Sequence, residues 1–167
     1  PLGGELAEVA SRRVGCPIVQ GYGMTEMSPV SHITPGYKSR AGSSGVTVAN
    51  TLSRIIDADG NDLSVDEEGE LLVKGPQVML GYLNNEAATR ETIDEDGWLH
   101  TGDVARMDSD GYMSIVDRVK ELIKYKGFQV APAELEALIA THASVLDVAV
   151  IGVPDEEAGE LPKAFVV

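Results

Sequence analysis

One cysteine, Cys16, and two phenylalanines are all that 167 residues carry of those types, and a single tryptophan joins five tyrosines. A lone cysteine excludes an intrachain disulfide and points to a cytoplasmic protein. Cys16 follows a predicted helix end and precedes Pro17, where a plain buried thiol is expected. Histidine is scarce too. His32, His100 and His142 stand far apart, with no partner at metal-ligand spacing, so no zinc site is expected. Long apolar runs are missing: Val148 to Val153 falls far short of the about 20 residues that cross a bilayer. Positive charge is short as well. Thirteen Lys and Arg against 27 Asp and Glu leave a net charge of −14, which excludes an extended nucleic-acid surface and an anionic membrane face. The initial Met and any signal-peptide pattern are absent, and the expectation is a fragment. What is present is globular: 43% hydrophobic residues in a length of about one domain, or one and a small second.

Leu6, Val9, Ala10 and Val14 recur at helical spacing and predict a helix over 4–14. Residues 17–20 form a short extended run into the Gly-rich turn Gly21-Tyr22-Gly23. From 45 to 117 the pattern is short strands and turns, with strands predicted at 53–57, 70–74 and 112–116 and a helix at about 86–92 capped by Asn84 or Asn85. This predicts a small barrel or a strongly bent sheet. Asp57 to Asp62 and Asp108 to Gly111 look like calcium loops, but Gly60 and Gly111 come two positions early, and Asp-Gly there predicts turns. Near 118 the composition changes. Arg118, Lys120, Lys124 and Lys126 are opposed only by Glu121, a local charge of +3. Pro132 then opens a helix with Leu135, Leu138 and Ile139 as its apolar face, and strands are predicted at 145–153 and 163–167. The fold class is α+β: a β-rich, barrel-like subdomain followed by part of a small α/β domain.

Three segments carry chemistry. In Gln20-Gly21-Tyr22-Gly23-Met24-Thr25-Glu26, glycines flank a ring that offers a stacking face, while Thr25 and Glu26 suit a phosphate and its Mg²⁺. In Trp98-Leu99-His100-Thr101-Gly102-Asp103, a fixed carboxylate can accept two hydrogen bonds from a ribose diol. The third is the basic cluster with Gly127-Phe128-Gln129 behind it. Read alone, the first two are also ordinary turns and the third a solvated face.

Taken in this order, with Gly69 to Tyr82 and the long run Ile115 to Glu136, the chain resembles the adenylate-forming superfamily of acyl-CoA synthetases, firefly luciferases and peptide-synthetase adenylation domains. The likeness covers essentially the whole length and is greatest for the 4-coumarate–CoA ligase and luciferase branch. It implies an acid–CoA ligase. Such an enzyme joins a carboxylic acid to ATP as an acyl-adenylate and passes the acyl group to coenzyme A, here from a 4-coumarate- or fatty-acid-like substrate.

The resemblance also implies the site. Gln20, Gly21, Tyr22 and Gly23 would line the nucleotide, with Tyr22 on adenine. Thr25 would touch phosphate, Glu26 would hold Mg²⁺, Asp103 would bind the ribose and Arg118 would support it. Lys120 would be the hinge, and Lys124 and Gln129 would face the active site in one hinge state. Gly127 would border the pantetheine tunnel, and Pro29 and Val30 the acyl pocket. The implied division is a nucleotide-contacting segment (1–44) and a β-rich subdomain (45–117), both from a large AMP-binding domain, then a hinge (118–120) and a truncated mobile domain (121–167). The family's phosphate loop and adenylating lysine do not occur in these residues and would precede Pro1 and follow Val167. The fragment is therefore expected to be inactive alone and open to self-association. Two alternatives stand beside this reading: a non-catalytic AMP-binding module, and a luciferase-like or acyl-AMP ligase enzyme that uses no CoA.

Overall fold

The computed structural model describes residues 2–167. It divides into two compact units, one ending at Ile115 and the other running Val116–Val167.

The first unit opens with α1 (Gly4–Val14), as the apolar spacing predicts. Its buried residue is Ala7, whereas Leu6, Val9 and Val14 on the predicted apolar stripe are exposed. Cys16 just beyond is exposed, contrary to the expected buried thiol: it lies in the turn after α1, outside the packed sheets. The extended run ahead of Tyr22 is not a strand. Pairing starts at β1 (Gly21–Gly23), which joins β2 (Val30–Ile33) and β3 (Val46–Thr47) in an antiparallel sheet of order β1-β2-β3.

A second sheet runs in chain order through β4 (Leu52–Ile56), β5 (Gly69–Lys74), β6 (Leu99–Met107) and β7 (Met113–Arg118). Linear order leaves two edges, so the α+β class stands with an open sheet where a barrel-like one was expected. Leu71, Leu72 and Val73 are all buried, which places β5 in the interior with both faces covered. Met27, Ile55, Leu71, Val73, Leu99, Ala105 and Met113 form the core. Between β5 and β6 lies α2 (Glu86–Thr92), whose first turn is capped by the Asn85 side chain accepting from Ala88 N at 3.1 Å. Both Asp-Gly segments are turns: Gly60 N donates to Asp57 O and Gly111 N to Asp108 O. The Asn61 amide, bonding the Asp57 carboxylate, holds that group below its usual range, so its oxygens serve the turn itself.

The second unit contains β8 (Ile123–Tyr125), β9 (Phe128–Val130), α3 (Pro132–Ile139), β10 (Val148–Asp155) and β11 (Gly159–Val166), with sheet order β10-β11-β8-β9. Pro132 sits at the first turn of α3, where its missing N–H leaves no hydrogen bond unmade. Leu138 of the expected apolar face is exposed, while Leu135 and Ile139 are half-buried. Edge strand β10 is engaged by the helix: Val150 N donates to Glu136 Oε1 at 2.8 Å. No helix among the described residues is long and apolar enough to cross a membrane.

Candidate functional site

Tyr22 occupies the middle of β1, where its neighbours are glycine for a steric reason. A β-carbon at Gly23 would collide with the Pro29 carbonyl, and one at Gly21 would lie 3.2 Å from the His32 carbonyl. The glycines let β1 lie tight against β2, and the irregular register between Tyr22 and Gly23 marks the spot. Gln20 directs its side-chain amide backward, exchanging hydrogen bonds with the Leu2 backbone at 2.9 and 3.0 Å. Its own carbonyl accepts from Thr34 N.

The Tyr22 hydroxyl donates to Asp103 Oδ2 at 2.6 Å, joining residues 81 apart in sequence. Asp103 stands inside β6, not at a turn. Between the paired positions Leu72↔His100 and Glu70↔Val104, β6 holds Thr101, Gly102 and Asp103 opposite Leu71 alone. This bulge lifts the segment out of the ladder and re-aims the carboxylate. Its braces are explicit. Thr101 Oγ1 donates to Leu71 O at 2.7 Å and accepts from Asp103 N at 3.1 Å. Gly102 N donates to Glu70 Oε1 at 3.2 Å, and His100 Nδ1 lies 3.2 Å from Glu70 Oε2. A carboxylate offers about four acceptor positions, and the phenol takes one of them.

Thr25 and Glu26 lie on the 3₁₀ turn Thr25–Met27, pinned by the wholly buried Met27. Met79 N donates to Glu26 O at 2.8 Å, and Tyr82 Oη donates to Glu26 Oε1 at 2.7 Å. That bond is the main cause of the raised Tyr82 pKa, because it favours the protonated phenol. Thr25 is exposed and Glu26 half-buried. A single half-exposed carboxylate fits Mg²⁺ held jointly with a phosphate, since that ion is usually bound by one or two carboxylates plus substrate oxygens. Pro29, just before β2, and Val30, its first residue, are exposed.

In the second unit, Arg118, Lys120 and Lys124 are all exposed, and Arg118 lies 3.9 Å from Glu121. Lys124 and Gln129 face each other across the β8–β9 hairpin, whose two-residue loop is Lys126-Gly127. Both loop residues have positive φ, 48° and 85°, the geometry of a type I′ turn. That geometry accounts for glycine at 127, and a β-carbon there would meet no atom within 4 Å. Lys124 N donates to Glu160 Oε2 at 2.7 Å. A cavity of about 360 Å³ in this unit is lined by Asp117, Lys120, Glu136 and Glu160 among others.

Sequence reasoning missed Glu70, Thr101 and Tyr82. Glu70 and Thr101 act through a bulge that only strand pairing reveals, and Tyr82 reaches Glu26 across 56 residues. The sole signal for Tyr82 was its place behind the tight turn at Gly81.

Residues 1–83 match the family described as AMP-binding enzyme, and residues 134–167 match that described as AMP-binding enzyme C-terminal domain. The chain belongs to the adenylate-forming family. The chain is 51% identical over 174 residues to 4-coumarate–CoA ligase 1 of Arabidopsis thaliana, an alignment that takes in 100% of the chain and 31% of the relative. It is 52% identical over 169 residues to luciferin 4-monooxygenase of Luciola mingrelica, again over 100% of the chain and 31% of the relative. Among solved structures it superimposes on ATP-bound MatB from Rhodopseudomonas palustris with a TM-score of 0.93 at 33% identity, over 99% of the chain and 33% of that protein. The chain thus spans about a third of the length of the relatives it matches.

Proposed function

We propose that this chain is part of an ATP-dependent acid–CoA ligase that activates a carboxylic acid as acyl-AMP and transfers the acyl group to coenzyme A, with a 4-coumarate- or fatty-acid-like substrate. The observation that carries the reading is the 2.6 Å bond from Tyr22 to Asp103, which sets an aromatic face beside a fixed carboxylate. Tyr22 would stack on adenine and Asp103 would accept from the ribose diol. Thr25 would donate to phosphate. Glu26, oriented by Tyr82, would hold Mg²⁺, which would neutralise charge as a carboxylate approaches the α-phosphate. Gln20, Gly21 and Gly23 would shape the nucleotide edge, and Pro29 and Val30 would border the acid. In the second unit Arg118 would support the ribose and Lys120 would serve as the hinge, within the proposed 118–120 segment. Lys124, Gly127 and Gln129 would serve thioester formation with coenzyme A.

Titration calorimetry with AMP tests the nucleotide edge. Asp103→Ala should weaken binding by about 1.5–3 kcal/mol, the worth of a hydrogen bond to a charged acceptor. Unchanged affinity would remove Asp103 from the site. The 52% identity to a luciferin 4-monooxygenase favours a second reading, an adenylating enzyme that makes no thioester. Assaying a ligase of the relatives' length that contains these residues for acyl-CoA would separate the two.

A further inference from the structure

His32 lies directly opposite Tyr22 in the β1–β2 ladder and opposite Thr47 in the β2–β3 ladder. Residues facing each other across an antiparallel pair share one face of the sheet. The imidazole and phenol rings have centroids 6.2 Å apart and planes inclined by 59°, a tilted aromatic contact. His32 is wholly buried, and so is Ser31 beside it. His32 Nδ1 lies 2.9 Å from Ser31 Oγ, which fixes the ring, while Nε2 has no hydrogen-bond partner among the described residues. A buried polar atom without a partner is costly, and an aliphatic side chain would fill this strand position without that cost. The ring that His32 meets at a tilt across the β1–β2 ladder is the one whose hydroxyl holds Asp103.

We propose that His32 is a positioning residue for the nucleotide edge: its ring is the rigid backing that sets the tilt of Tyr22 and thereby the Tyr22–Asp103 hydrogen bond. Ser31 locks the imidazole, the imidazole locks the phenol, and the phenol orients the carboxylate. The inference rests on the reading of Tyr22 and Asp103 as the adenosine-contacting pair.

The test is a double-mutant cycle on the full 167-residue chain with AMP as the probe. His32→Leu keeps the volume and removes the ring; His32→Phe keeps a planar ring. His32→Leu should raise the AMP dissociation constant at least fivefold in the otherwise unchanged chain and less than twofold in a Tyr22→Phe background. His32→Phe should stay within twofold of the unchanged chain. Equal losses for His32→Leu in both backgrounds, or an equal loss for His32→Phe, would overturn the proposal. If the unchanged chain does not bind AMP, the reading of Tyr22 and Asp103 as an adenosine-contacting pair in this chain fails and the positioning claim is decided by NMR. The Tyr22 hydroxyl proton should then exchange at least fivefold faster in His32→Leu than in the unchanged chain or His32→Phe, and matching rates would overturn it.

Discussion

Burial takes His32 to a pKa of about 4, against 6.5 for the ring in water. A base whose folded-state pKa is depressed stays neutral in the native protein while the unfolded chain takes up a proton. Stability is therefore intact above about pH 6.5 and falls as the pH drops toward 4, by an amount on the order of 3 kcal/mol from this residue. Urea midpoints measured across this window should fall more steeply for the unchanged chain than for His32→Phe, and parallel curves would show that the ring is accessible to protons. Tyr82→Phe belongs to the same scale. Removing the phenol frees Glu26 Oε1, so the carboxylate should lose its fixed orientation and Mg²⁺-dependent enhancement of ATP binding should weaken, while AMP binding without the ion should hold. Calorimetry with and without Mg²⁺ reads the difference.

At the level of elements, β6 does the most to build the site, and it shows where a sequence stops being informative. Thr101-Gly102-Asp103 has the composition of a turn, yet the strand runs through it from Leu99 to Met107. The reason is that a bulge preserves pairing on either side, and pairing is a property of two strands rather than of one segment. Thr101→Val keeps the shape but deletes the hydroxyl that bonds Leu71 O and Asp103 N. It should loosen the bulge and weaken AMP binding several-fold with a smaller change in the urea midpoint; no change in affinity would mean that the bulge holds itself. The helices were far more legible. α1, α2 and α3 carry local signals in their spacing, in the Asn85 cap and in Pro132. Exposure was not, because the stripe of Leu6, Val9 and Val14 states that a face is apolar and not what it faces. The β8–β9 hairpin was hidden behind its own charge: Lys124 and Lys126 read as part of a basic cluster, and only the two positive φ angles at Lys126 and Gly127 disclose the turn.

For the whole molecule, the motifs Gln20 to Glu26, Trp98 to Asp103 and Ile115 to Glu136 identified the family before any coordinates, since each pairs special backbone needs with chemical groups. Their mutual geometry was not legible, because hydrogen bonds such as Tyr22 to Asp103 and Tyr82 to Glu26 span 81 and 56 residues. Acid-dependent pyrophosphate exchange by the 167-residue chain alone should be undetectable, since the family's phosphate loop and adenylating lysine do not occur within it. Measurable exchange with any acid would show that these residues suffice. Net charge also resolves into a pattern: seven acidic residues and no basic one lie between Asp57 and Glu70, while the basic run begins at Arg118.

The separation of Tyr22 from Asp103 has a kinetic consequence. Contacts between distant positions form after the loops between them have closed, so the proposed nucleotide edge of the first unit would form late in folding, once the sheet containing β1 has met the sheet containing β6. A refolding chain would recover its strands before it recovers its ligand, and AMP added during refolding would act on the last step rather than the first.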